Sequence, residues 1–116
     1  MMKKTVLLML LAATPAVTMP AWAHAKLISS DPTANASVKP PKLIKLTFAE
    51  ILEPAFSGAE LTDAAGKSVP VSKSVGGATI TLLPLALKPG NYKVAWHAVG
   101  HDTHRLSGSF GFTVVP

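Results

Sequence analysis

The chain has 116 residues, with 11 lysines and arginines against six acidic residues and no cysteine. That length holds one small domain with a single core rather than two, and the lack of cysteine excludes disulfides, thiolate metal ligands and thiol redox chemistry. The basic residues are scattered rather than gathered into a patch or stripe, which argues against nucleic-acid binding and leaves only a mild, unspecific attraction to anionic lipid headgroups.

The first 23 residues read as a secretory leader. Lys3 and Lys4 precede an apolar stretch over residues 6–13, and a looser run with Pro15 and Pro20 ends at Ala21-Trp22-Ala23, a small-x-small cleavage signal. The apolar run is too short for a membrane span. Cleavage after Ala23 is expected to leave one soluble domain, residues 24–116, with His24 as its first residue. The leader takes two of the eleven basic residues, so nine face six acidic ones and the net charge falls from +5 to +3. It also takes all four methionines, Met1, Met2, Met9 and Met19. The remaining chain has no sulfur, and so none of the soft ligands that Cu(I) prefers.

After the leader, short strands alternate with turn residues. A first strand over 26–29 ends at Asp31-Pro32. A second, over 43–48, follows Pro40-Pro41; Ile44, Leu46 and Phe48 share one face, Lys45 and Thr47 the other. Residues 56–62 form a third, closed by the turn Asp63-Ala64-Ala65-Gly66. Residues 68–72 are a weak edge strand, since Pro70 cannot donate to a ladder. Residues 78–83 follow Gly76-Gly77 as a clear strand. The turn Lys88-Pro89-Gly90-Asn91 launches a strand over 92–99, with Tyr92, Val94, Trp96 and Ala98 on one face. The last strand, 107–115, alternates Phe110, Phe112 and Val114. Trp96 and these phenylalanines are expected to anchor the core. No helix of normal length is expected. The pattern predicts an all-β, Greek-key, immunoglobulin-like (cupredoxin-like) sandwich of about seven strands.

Between the last two strands lies Gly100-His101-Asp102-Thr103-His104-Arg105. In an extended segment the side chains at i and i+2 share a side, so a carboxylate oxygen of Asp102 and an imidazole nitrogen of His104 are expected to converge. Alone this is a weak signal, because loops favour polar residues. A mature N-terminus at His24 strengthens it: the α-amine and ring Nδ1 close a six-membered chelate on one metal. Three nitrogens and an oxygen suit Cu(II), which favours tetragonal nitrogen/oxygen coordination; Zn(II) accepts the same atoms, usually as a tetrahedron. The geometry requires the first strand and the last loop to meet at one end of the sandwich. By the same alternation His101 points away from Asp102 and His104, as a surface residue or one that backs the ligands. His97, on the face opposite Trp96, is expected to be partly exposed rather than a ligand.

At this point the chain resembles the CopC family of periplasmic copper-binding proteins. His24-Ala25-Lys26-Leu27-Ile28-Ser29-Ser30-Asp31-Pro32 is similar to the family's opening of His-Ala, an apolar stretch and a Ser-x-Pro-like turn. Leu46-Thr47-Phe48-Ala49-Glu50 resembles its Leu-x-Phe-Ser-Glu segment, with Ala49 in place of serine. Tyr92-Lys93-Val94-Ala95-Trp96 and Asp102-Thr103-His104 resemble its Tyr-x-Val-x-Trp strand and Asp-x-His loop, and Ser107-Gly108-Ser109-Phe110-Gly111-Phe112 its closing strand. The resemblance covers the whole chain after the leader.

It implies a copper-resistance or copper-homeostasis protein of the periplasm. One Cu(II) per chain is implied, held by the amine and ring of His24 (a histidine brace), Asp102 and His104. Glu50 is implied to lie close, as a ligand or as a carboxylate that orients the N-terminal amine. An inner-membrane partner of the CopD type is implied as donor or recipient, with the carrier itself a monomer that does not insert into the membrane. Two departures stand out. The methionine-rich Cu(I) site of many relatives has no counterpart here, which matches a Cu(II)-only branch, and His101 stands where the family more often has a small residue. The alternatives from other classes are a copper-dependent monooxygenase using the same N-terminal histidine chelate and a metal-free adhesive or chaperone-like sandwich. Against the enzyme, the chain is small, shows no flat aromatic surface, and places Asp102 where oxygen would bind. Ser/His/Asp hydrolysis lacks a nucleophile elbow or oxyanion-hole motif. N-terminal sequencing of the exported protein is expected to read His-Ala-Lys-Leu; any other start removes the amine-plus-ring chelate.

Overall fold

Period-two alternation marks the two longest strands and the core-facing segment Ile44–Phe48 in a computed structural model that describes residues 26–116. The proposed leader, 1–23, and His24 lie outside the described residues. One sheet runs β1 (Leu27–Asp31), β3 (Ile44–Phe48), β7 (Thr79–Pro84), β6 (Val71–Gly76), all antiparallel. The other runs β2 (Ser37–Val38), β9 (Arg105–Val114), β8 (Gly90–Val99), β4 (Gly58–Asp63), β5 (Ser68–Val69), antiparallel except for the β2–β9 pair. The two sheets form a Greek-key β-sandwich. Nine strands are present among the described residues where about seven were expected, and β2 and β5 have only two residues each.

Most strand ends fall within one or two residues of expectation; two strands differ more, each for a local reason. The weak strand at 68–72 is two strands in different sheets, split at Pro70. Proline has no N–H to continue a ladder, so the chain leaves one sheet there and joins the other. The strand expected from Phe56 begins at Gly58, because Pro54–Phe56 is a 3-10 helix whose Phe56 N–H donates to the Glu53 carbonyl at 3.0 Å. Proline fits the first turn of such a helix, where its missing N–H costs nothing.

The core lies between the sheets. Ile44, Leu46, Phe48, Ile80 and Leu82 meet Ala59, Leu61, Val94, Ala98, Phe112 and Val114, with Leu52 and Leu87 closing the ends. Trp96 and Phe110 are half-buried and pack against this cluster rather than within it. The Trp96 ring stands edge-on to Phe48, centroids 5.2 Å apart. It also covers Gly108, its partner on β9: a Cβ at Gly108 would lie 2.7 Å from the ring. Tyr92 stacks on Phe112 at 5.7 Å and donates its hydroxyl to the Lys88 carbonyl at 2.7 Å. That bond fixes the entry to β8 in the manner of the tyrosine corner of Greek-key sandwiches. On the outer face of the second sheet, Lys73 reaches over from β6 and lies across Gly58, where a Cβ would sit 2.7 Å from its Nζ.

The topology sorts the loops to two ends. The β8–β9 loop, the β6–β7 turn and the stretch from Ala49 to Ser57 share one end, tied by the Leu52–Gly100 bridge and by the Leu52 N–H donating to Gly77 at 3.0 Å. The start of the described chain is there too, since the Lys26 carbonyl accepts the Ala49 N–H at 2.8 Å. Because Leu46 is fully buried while Lys45 beside it is exposed, Leu46→Ala is expected to cost about 2–5 kcal/mol and Lys45→Ala no more than about 0.5 kcal/mol in urea denaturation.

Candidate metal centre

The candidate ligands sit on a loop whose stem is gripped from the side. The Glu53 N–H donates to the Val99 carbonyl at 2.8 Å. The Val99 N–H donates to the hydroxyl of Ser57, a buried polar side chain, at 3.0 Å. The last rung of the β8–β9 ladder, Val99↔Arg105, is therefore held on both sides.

Beyond it the chain makes a tight turn. The Thr103 N–H donates to the Gly100 carbonyl at 2.9 Å, and Thr103 adopts a left-handed φ of 66°. A β-branched residue rarely takes that conformation, which costs on the order of 1 kcal/mol. The result brings Asp102 and His104 together. The His104 N–H donates to Asp102 Oδ1 at 3.1 Å, and His104 Nδ1 lies 3.3 Å from Asp102 Oδ2. The pair meets through this turn, not through the extended alternation the spacing suggested.

Glu50 reaches the same loop from the end of β3. Its Oε1 accepts the His101 N–H at 3.2 Å. The approach needs a glycine: a Cβ at the buried Gly100 would lie 2.5 Å from the Glu50 carboxyl carbon. His101 turns to Glu53, Nδ1 to Oε2 at 3.1 Å. Glu53 was not visible as a site residue in the sequence. Only the fold shows that the stretch after β3 runs beside the loop, and no motif marks the residue. His97 is half-buried on the outer face of β8, in register with Gly58 and Ser107, three residues before the loop. The Lys73 ammonium beside it disfavours a cation there.

Three carboxylates and two imidazoles therefore share this end of the sandwich. Among the described residues, no three histidines, aspartates or glutamates converge closely enough to hold a metal ion. Asp102 and His104 supply a two-donor edge of hard and borderline atoms. Two donors on one ion at about 2.0–2.1 Å stand roughly 3 Å apart, so the observed 3.3 Å separation suits a shared ion.

Comparison with known proteins bears on this site. The profile of the CopC domain matches residues 27–115. The protein YobA of Escherichia coli is 40% identical over 107 residues, covering 87% of this chain and 86% of its own length. Copper resistance protein C of Pseudomonas syringae pv. tomato is 37% identical over 124 residues, covering 98% of each chain. Among solved structures, PcoC, described as a methionine-rich copper resistance protein from Escherichia coli, superposes with a TM-score of 0.75 at 37% identity, over 80% of this chain and all of that one.

The contact between Gly100 and Glu50 is testable without metal. Gly100→Ala is expected to destabilise the protein by about 1–3 kcal/mol through overpacking, and by clearly less when Glu50→Ala has first opened the space. Equal costs in the two backgrounds, measured by a thermal double-mutant cycle, would show that the carboxylate does not rest there.

Proposed function

The chain belongs to the CopC family, and from that premise we propose that it is a periplasmic copper-resistance protein that binds one Cu(II) and sequesters or carries it. The proposed ligands are the α-amine and Nδ1 of His24, exposed by removal of residues 1–23, with Asp102 and His104. Glu50 lies close enough to the loop to hold the N-terminal amine in place by a hydrogen bond, which orients the ligand and raises its basicity.

The observation that carries this reading is the bond from Ala49 to the Lys26 carbonyl, next to the carboxylate that rests on Gly100. It ties the start of the described chain to the loop of Asp102 and His104. His24 is two residues from Lys26, a reach of at most about 7 Å along an extended chain. The described residues bring only two donors together, and an N-terminal histidine would supply a third and a fourth at once.

The donor set favours Cu(II) over Cu(I). No methionine occurs after Met19 and the chain has no cysteine, so a second, methionine-based Cu(I) site is not proposed. Reduction would leave Cu(I) among nitrogen and oxygen donors that hold it poorly. Release thus follows reduction, competition from a partner's ligands, or acid, because the amine and imidazoles bind only when deprotonated. An inner-membrane protein of the CopD type is the proposed donor or recipient. The carrier works as a monomer and catalyses nothing, since Asp102 on the metal fills the position an oxygen molecule would need.

The test is Cu(II) titration with EPR on two forms, one starting at His24 and one carrying an extra residue before it. The free form is expected to bind one Cu(II) with nitrogen hyperfine structure. The extended form, Asp102→Ala and His104→Ala are each expected to bind more than about 100-fold more weakly, and Glu50→Ala about 10–100-fold more weakly. Affinity is expected to fall as the pH drops through the range in which imidazole and amine take up protons. Equal binding by the free and extended forms would remove the N-terminal chelate; no binding by either would remove the copper function.

A further inference from the structure

The end of the sandwich opposite the metal loop carries an unexplained surface. Leu43, Leu83 and Leu85 are 43%, 49% and 75% exposed. They belong together by register. Leu83 lies near the end of β7 beside Leu82, whose partner on β3 is Ile44, and Leu43 directly precedes Ile44. Leu85 follows two residues on. Monomeric proteins rarely leave several large aliphatic side chains grouped in water without a use for them.

Lysines frame these leucines. Lys42 adjoins Leu43, Lys39 follows the short β2, and Lys88 closes the segment after Leu85; all three are exposed. Both segments are braced by proline, as Lys39-Pro40-Pro41-Lys42-Leu43 and Leu83-Pro84-Leu85-Ala86-Leu87-Lys88-Pro89. The second is anchored by Leu87, which turns into the core. Two carboxylates are nearby. Asp63 already accepts the Ala65 and Lys67 N–H groups, both at 2.9 Å, and Asp31 pairs across the strands with Lys45. The opposite end carries Glu50, Glu53 and Asp102. Lys26 and Arg105 stand beside those carboxylates, so exposed lysines and exposed leucines coincide only at the first end.

We infer that the leucine–lysine end is a docking face for an anionic phospholipid surface. The lysines meet lipid phosphates and the leucines enter the headgroup layer, so the loop at the opposite end faces away from the bilayer. Lipid phosphates, which would compete for a bound cation, are thereby kept at the far end. The inference stands apart from the copper reading, because none of its residues touches the loop.

The exported protein, freed of its leader, is tested by co-sedimentation with vesicles of phosphatidylethanolamine and phosphatidylglycerol, and with vesicles of phosphatidylcholine alone. Binding is expected only to the first and is expected to weaken in high salt. Lys42→Gln with Lys88→Gln is expected to lower the partition coefficient about tenfold or more, at roughly fivefold per lysine, and Leu83→Ser with Leu85→Ser to lower it similarly. The native chain has no cysteine, so a dye on Leu85→Cys reports its own surroundings. It is expected to shift to the blue on the anionic vesicles, while the same dye on Ile51→Cys, exposed at the loop end, is not. Four results would overturn the docking face: no binding, binding indifferent to lipid charge, binding lost with the lysines but untouched by the leucine changes, or crosslinking from position 85 in spheroplasts to a protein instead of lipid. Cu(II) binding by the same variants is expected to be unchanged.

Discussion

The ladder between β8 and β9, running from Gly90↔Val114 to Val99↔Arg105, is the constraint on which the candidate metal end depends. It is the longest pairing in the molecule, and its inner side chains, Val94, Ala98, Phe112 and Val114, lie in the core. A slip of one residue would turn all of them to solvent. The register is therefore fixed by burial, and with it the place where the ladder ends and the loop begins. Trp96 folded over Gly108 adds a second lock, because a side chain opposite the ring would clash with it. Ser57 and Glu53 then hold Val99 from the neighbouring segment. The short loop inherits its position from this framework and needs little structure of its own beyond the left-handed Thr103.

Much of this was legible in the sequence where side chains alternate between two clear environments. Ile44, Leu46 and Phe48 announce β3, and Tyr92 to Ala98 announce β8, because one face of each strand is dry. Legibility failed where that contrast fades. The strand β6 carries Ser72, Lys73 and Ser74, all exposed, and so reads as a weak edge. The two-residue β2 is too short to show any period. Phe56 looked like the start of a strand but is 60% exposed on a 3-10 turn; an aromatic side chain suggests burial, and only the proline two residues earlier hinted otherwise. At the site, the Asp102/His104 pair could be read from spacing although the turn that joins them could not. Glu50 was reachable only through family resemblance, and Glu53 not at all, since both act across about fifty residues of chain that the fold brings back.

The proposed ligand set has a mechanical side. A metal held jointly by the first residue and by a loop between the last two strands closes the chain into a ring through the ion. The unfolded chain would keep only the local chelate of the first residue, so occupancy would raise stability by the difference between the affinities of the full site and of that chelate. With that ligand set the protein would be least robust when empty and most robust when loaded, which would suit the proposed carrier.

Lys73 across Gly58 has a consequence for assembly. β5 pairs with β4 only at Leu61 and Thr62, so residues 58–60 form no ladder on that side and leave the kind of edge on which another chain can add a strand unless it is covered; here Gly58 and Ala59 are buried. A lysine stem laid over that edge, with its charge held beside it, is an obstacle that an incoming strand would have to lift away and desolvate. Gly58 makes the arrangement possible, because any side chain there would push the lysine off. The smallest residue in the strand thus serves as the seat of a guard against fibrous stacking, in a domain with no disulfide to restrain it if it opens.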